Sequence, residues 1–153
     1  MSGTIIIGAG QAGSAAASKL RNLGYEGDTM LIGAETAPPY QRPPLSKKYI
    51  LGEMELERLY LRPIDFYETN NIALRLGTKV DAIDTTEKSI SVQGETLSYD
   101  NLILTTGSWP RRLPAKIGGD LLGVYSMRDL ADADAMADEF QEGRRALIIG
   151  GGY

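Results

Sequence analysis

Six residues near the start of the chain, Gly8-Ala9-Gly10-Gln11-Ala12-Gly13, form a G-x-G-x-x-G turn, and they restrict the fold more than any other segment. The first glycine of such a turn permits a tight reversal. The second lets backbone approach a pyrophosphate, and the third lets helix and strand pack closely. The pattern has meaning only between a strand and a helix, and both are legible here. The β-branched run Thr4–Ile7 suits a buried strand, and Ala12, Ala15, Ala16, Leu20 and Leu23 follow at helical spacing up to a stop at Gly24. Ala17 keeps that helix slim, and Thr29–Ile32 is a second buried strand ending at Gly33. Strand, turn, helix and strand within about thirty residues make one βαβ unit. The helix N-terminus then offers free N–H groups and its positive dipole end to a phosphate. Gly8, Gly10 and Gly13 are therefore expected to hold a dinucleotide. The acid that binds the ribose hydroxyls belongs at the end of the second strand. In Ile32-Gly33-Ala34-Glu35 the candidate is Glu35, against the plainer alternative of a solvated loop glutamate.

Composition narrows the chemistry. The 153 residues carry a formal net charge of −4, and no basic stretch exceeds Arg111-Arg112 or Arg144-Arg145. That argues against a nucleic-acid partner. There is no cysteine, which removes disulfide, thiolate-metal and iron–sulfur chemistry from this chain, and no histidine, the commonest general base and metal ligand. Redox chemistry here would have to be carried by a bound cofactor, with no metal site expected. No basic leader precedes the first strand and no window has the roughly 18–20 apolar residues of a membrane span. The expectation is a soluble, cytoplasmic protein without a membrane partner. Nothing in the pattern speaks to oligomeric state.

Beyond the βαβ unit the texture changes. Residues 37–45 read APPYQRPPL, and four prolines there forbid a helix interior or central strand. Ser46 is placed to cap a short helix through Leu51. Residues 63–70 suit another, with Pro63 at its first position and Phe66 and Tyr67 facing inward. Residues 72–76 resume strand character. Val80–Asp84, Ser89–Val92 and Glu95–Ser98 read as a small antiparallel meander laid over the main sheet. Residues 102–104 read as a buried strand, and 109–119 as a connector in which Trp109 packs to close a loop. A helix over 129–142 has the apolar stripe Leu130, Ala133, Met136, Ala137 and Phe140. Residues 145–153, RALIIGGGY, read as a strand and a second glycine turn without its helix, so the polypeptide is expected to be partial.

The segment Pro39-Tyr40-Gln41-Arg42-Pro43-Pro44-Leu45-Ser46-Lys47 strongly resembles the loop after the second strand of FAD-dependent ferredoxin and rubredoxin reductases of the putidaredoxin reductase type. Leu59-Tyr60-Leu61-Arg62, Leu104-Thr105-Thr106-Gly107-Ser108-Trp109-Pro110-Arg111 and Tyr125-Ser126-Met127-Arg128 resemble later segments of that family. Gly150-Gly151-Gly152-Tyr153 resembles the start of its second, NADH-binding glycine motif, with Gly150 and Gly152 as the nucleotide-facing positions. The resemblance covers essentially the whole chain. It implies an α/β fold: a Rossmann-like FAD-binding βαβ sheet with an antiparallel β-meander, three-layered and incomplete. It also implies a first FAD-binding segment over 1–115, with 116–153 leading into an NAD(P)H-binding domain.

By the same resemblance Ala12 would touch the FAD pyrophosphate through backbone. Lys47, the catalytic candidate, would lie near the flavin ring, where its ammonium can stabilise negative charge on the reduced flavin. Val80 would contact the adenine end and Arg128 would reach the cofactor; the alternatives are a core valine and a surface arginine. Arg42, in the proline-stiffened loop, is a candidate for phosphate or ribose. Thr106 and Gly107 would let backbone lie against the cofactor. The resemblance departs at Ala34, where the family carries an acid, leaving Glu35 to substitute from the next position. The implied activity is electron transfer from NADH through FAD to a small iron–sulfur protein of ferredoxin or rubredoxin type. The competing class is a non-catalytic dinucleotide-binding module. A classical NAD dehydrogenase is disfavoured by the second glycine turn.

Overall fold

The computed structural model describes residues 3–150. The chain gathers into two compact units, Met1–Gln41 with Leu56–Trp109 and Arg42–Glu55 with Pro110–Tyr153.

In the first unit the strands are β1 (Thr4–Ile7), β2 (Thr29–Ile32), β3 (Ile72–Arg75), β4 (Val80–Asp84), β5 (Ser89–Val92), β6 (Glu95–Ser98) and β7 (Asn101–Leu104). Helix α1 (Gln11–Asn22) joins β1 to β2, and the short α2 (Asp65–Thr69) precedes β3. A four-stranded sheet runs β3-β2-β1-β7, with every neighbouring pair parallel. The meander β4-β5-β6 is antiparallel throughout. Alternation along β1 shows how three layers form. Ile6 packs on one face with Ala17, Leu31, Tyr67 and Ile72, the helical side. Ile5 and Ile7 pack on the other with Ile32, Ile90, Val92 and Tyr99, the meander side. A strand buried on both faces needs apolar residues at every position, which Thr4–Ile7 nearly supplies. Each such fully buried aliphatic side chain contributes about 1.5–3 kcal/mol.

Three expectations in this unit are corrected. Helix α1 does not bury Ala12, Ala15 and Leu23; it buries Gly13, Ser14, Ala17 and Ser18. The helix lies so close to the sheet that a Cβ on Gly13 would stand 3.0 Å from Leu31 Cδ1, so its inward face needs its smallest side chains. Ser14 is tolerated because its hydroxyl shares a hydrogen bond of 2.9 Å with the buried Tyr67 hydroxyl. Burial pushes the Tyr67 phenol above its ordinary 10.0, while the Ser14 hydrogen bond and the Arg62 charge pull the other way. Next, β7 is not a buried strand: it forms a sheet edge and leaves Leu104 59 % exposed. Trp109, at 84 % exposed, packs against little.

Arg21 ties the lower end of the unit together. Its guanidinium donates to the carbonyls of Asn70 (2.7 Å), Tyr25 (2.6 Å), Gly27 (2.9 Å) and Asn71 (2.5 Å). The end of α1, the turn into β2 and the turn into β3 thus share one cation.

The second unit departs further from expectation. Ser46 does not cap a helix through Leu51. Residues Leu45–Tyr49 wind from Pro44, whose carbonyl accepts from the Lys47 N–H (2.9 Å) and the Tyr49 N–H (3.1 Å). Proline's fixed φ already suits a first turn, so the winding starts before Ser46, and it breaks at Lys47 (φ −133°, ψ −114°). Helix α3 spans Leu130–Ala137, shorter than 129–142. Asp129 caps it reciprocally with Asp132: the Asp132 N–H donates to Asp129 Oδ1 at 2.9 Å, and the Asp129 N–H to Asp132 Oδ2 at 3.1 Å. Ala133 is its buried residue, while Phe140 lies outside the helix and is exposed. Residues 145–149 form no strand, and Leu147 (87 % exposed) and Ile148 (83 %) face solvent. A strand exists only where a neighbour receives its backbone hydrogen bonds, and none lies alongside among the described residues. No helix among the described residues is long and apolar enough to cross a membrane.

Candidate functional site

The glycine turn sits where β1 ends, and its neighbours dictate its composition. Gly8 has φ +113°, and a Cβ there would meet the Thr105 carbonyl oxygen at 2.1 Å. The Gly8 N–H donates to Ile32 O at 2.8 Å, tying the turn to β2. Thr105, just past β7, ties it from the other side: Thr105 Oγ1 donates to Gly8 O at 2.8 Å and lies 3.1 Å from Ile7 O. A Cβ on Gly13 would meet Gly8 O at 2.0 Å, so the third glycine is required for helix to reach strand. Gly10 differs. It occupies the extended N-cap of α1 (φ −92°, ψ −164°), and a Cβ there would meet nothing within 4 Å. The fold itself makes no steric demand for a glycine at position 10.

The N-terminus of α1 has no side-chain cap and no acidic residue in its first turn. Gln11 and Ala12 are exposed there. Amide groups at a helix start without a side-chain acceptor suit an anion.

At the end of β2, Gly33 comes so close to the turn that a Cβ on it would stand 2.5 Å from Ala9 Cβ. The next residues are fixed by backbone bonds: the Gly33 N–H to Arg75 O (2.9 Å), the Thr78 N–H to Gly33 O (2.8 Å) and the Gly77 N–H to Glu35 O (2.9 Å). Ala34 is exposed and Glu35 half-buried. The Tyr40 hydroxyl donates to Glu35 Oε2 at 2.5 Å. Tyr40 is buried and bridges antiparallel to Tyr60, flanked by bonds from the Gln41 N–H to Leu59 O and the Leu61 N–H to Pro39 O, both 2.9 Å.

The remaining first-unit candidates are placed as follows. Val80 opens β4 half-buried, packed against the meander-side core. Thr106 and Gly107 follow β7 in the open, Gly107 at φ +71°. In the second unit, Arg42 Nη1 donates to the Arg128 carbonyl at 2.8 Å, and the Arg128 N–H to Asp132 Oδ2 at 2.8 Å. The Tyr49 hydroxyl reaches Asp134 Oδ1 at 2.8 Å, so the proline-rich loop and the start of α3 are joined at two points. Lys47 is exposed, its ammonium donating to Pro43 O at 3.3 Å. Gly150, with φ +117°, is exposed; Gly152 lies outside the described residues.

The sequence brings together Gly8, Gly10 and Gly13 and names Arg42 and Arg128 separately, each toward the cofactor; the structure joins the two arginines to each other. Thr105 and Tyr40 were missed. Both were visible within segments already singled out. What the sequence did not show is the pairing, Thr105 with the Gly8 carbonyl and Tyr40 with the Glu35 carboxylate.

The family model described as pyridine nucleotide-disulphide oxidoreductase matches residues 3–153. The chain is 41 % identical over 150 residues to a ferredoxin–NAD(P)(+) reductase of Sphingomonas sp, covering 97 % of this chain and 36 % of that one. It is 40 % identical over 149 residues to a rubredoxin–NAD(+) reductase of Pseudomonas putida, covering 97 % and 38 %. Among solved structures, a covalent putidaredoxin reductase–putidaredoxin complex matches with a TM-score of 0.83 and 39 % identity, over 90 % of this chain and 34 % of that one. The chain therefore spans little more than a third of the length of these relatives.

Proposed function

Since the chain belongs to the pyridine nucleotide-disulphide oxidoreductase family, we propose that it is the N-terminal, FAD-binding portion of a cytoplasmic reductase that carries electrons from NADH to a ferredoxin- or rubredoxin-type iron–sulfur protein. The observation that carries this reading is the glycine turn. Gly8 and Gly13 are demanded by the fold, whereas the open space beside Gly10 and the uncapped start of α1 fit a pyrophosphate.

In this reading Gly8, Gly10, Ala12 and Gly13 hold the pyrophosphate through backbone, and Glu35 takes the ribose hydroxyls. Val80 contributes at the adenine end, and Thr106 and Gly107 offer backbone to the cofactor. Lys47 supplies positive charge beside the flavin ring, with Arg128 reaching the cofactor and Arg42 holding the Arg128 carbonyl. Residues 1–115 form the first FAD-binding segment, and 116–153, with Gly150 and Gly152, lead into the NADH-binding domain. FAD, when bound, supplies hydride acceptance and single-electron delivery, chemistry that a chain without cysteine or histidine does not provide from its side chains.

The test is a titration of FAD into the purified chain, followed by flavin fluorescence and visible circular dichroism, and then addition of NADH with a one-electron dye. Saturable FAD uptake supports the reading; unchanged flavin signals overturn it. A second reading, dinucleotide binding without turnover, is favoured by the chain's coverage of about 36 % of its reductase relatives. FAD uptake with no dye reduction would select it for this chain.

A further inference from the structure

The geometry points to Tyr40 as the positioning residue for the ribose-binding carboxylate, a role that rests on the FAD reading above. In this chain the residue directly after Gly33 is Ala34, and the carboxylate comes one position later at Glu35. Side chains of adjacent residues leave the backbone in different directions, so an acid at position 35 does not aim where one at position 34 would unless something turns it. Tyr40 is that something. Its hydroxyl donates to Glu35 Oε2 at 2.5 Å, a short charge-assisted bond.

Both ends of the contact are anchored. Tyr40 is 4 % exposed, and the backbone on either side of it is held to residues 59–61. The Glu35 carbonyl is held by the Gly77 N–H, and Gly33 abuts Ala9 of the glycine turn. Glu35 is therefore a half-buried carboxylate held in the bend that follows β2, two residues past the glycine that abuts the turn. A carboxylate accepts at about four lone-pair sites, and the phenol takes one of them. The role proposed for Tyr40 is exerted through Glu35.

The experiment is a double-mutant cycle in the full chain with Tyr40→Phe, Glu35→Gln and the pair, using two probes: FAD, and ADP compared with 2′,3′-dideoxy-ADP. Phenylalanine keeps the buried ring, and thermal melting of each variant establishes that it is folded. The expected result is about tenfold preference of the wild type for ADP over its dideoxy analogue, largely lost in E35Q and reduced several-fold in Y40F. In the E35Q background, Y40F should have no further effect, an outcome that a merely structural tyrosine would not give. A Y40F effect of equal size with and without Glu35 overturns the proposal. So does a wild type that takes up FAD yet ignores the ribose hydroxyls, although the FAD reading then stands. ADP discrimination without FAD uptake supports the Tyr40 role and overturns the flavin reading instead.

Discussion

Gly10 and Gly13 lie three residues apart in one turn, yet a methyl group placed on each meets opposite surroundings. At Gly13 it runs into a backbone oxygen, and at Gly10 into open space. Gly13→Ala is expected to cost about 1–3 kcal/mol of stability, read from urea unfolding, because backbone must move to admit it. Gly10→Ala should leave the unfolding curve within about 0.5 kcal/mol of wild type while weakening FAD binding in a fluorescence titration. Tyr67 yields a pH-dependent prediction. Its folded-state pKa is raised above 10.0, chiefly by burial, so the unfolded chain releases that proton first as pH rises. The stability this group contributes is intact below pH 10 and declines above it. Comparing wild type with Tyr67→Phe by denaturation from pH 8 to 11 should show the steeper loss in the wild type. Below pH 10 the variant should be weaker by about 1 kcal/mol, the cost of leaving Ser14 without its buried partner.

At the scale of elements, the parallel strands, the meander and α1 were legible because each is defined by its own period and by turn residues at its ends. The inward face of α1 was not. Apolar spacing favoured Ala12, Ala15 and Leu23, whereas close packing selected size over polarity and buried Ser14 and Ser18. The winding around Lys47 was hidden for another reason: two prolines set its start, and serine's capping preference had nothing left to decide. The predicted strand at 145–149 failed because strand propensity cannot supply the neighbouring backbone that makes a strand. Arg21 shows how much a single residue can organise without a sequence signal, since its four acceptors are main-chain carbonyls. Arg21→Lys keeps the charge but loses the planar fork. It should cost about 2–3 kcal/mol in urea unfolding, the range of a lost charged hydrogen bond, and expose the turns into β2 and β3 to faster amide exchange.

For the molecule as a whole, two runs of adjacent apolar side chains stand exposed among the described residues: Leu121 and Leu122 ahead of α3, and Leu147, Ile148 and Ile149 beyond it. Contiguous exposed apolar residues promote association. Ile148→Lys should therefore reduce concentration-dependent light scattering, with FAD titration unchanged. The bond from Thr105 to the Gly8 carbonyl has a different kind of consequence. It joins residues ninety-seven positions apart, so the glycine turn is locked only after a long stretch of chain has been made and folded back. Until β7 arrives, β1 has β2 on one side and a bare edge on the other. During synthesis the start of the protein must wait, half-paired, for a partner that leaves the ribosome about five to twenty seconds later at ordinary rates of elongation. A chain released before Thr105 would carry all three glycines of the turn and lack the residue that closes it.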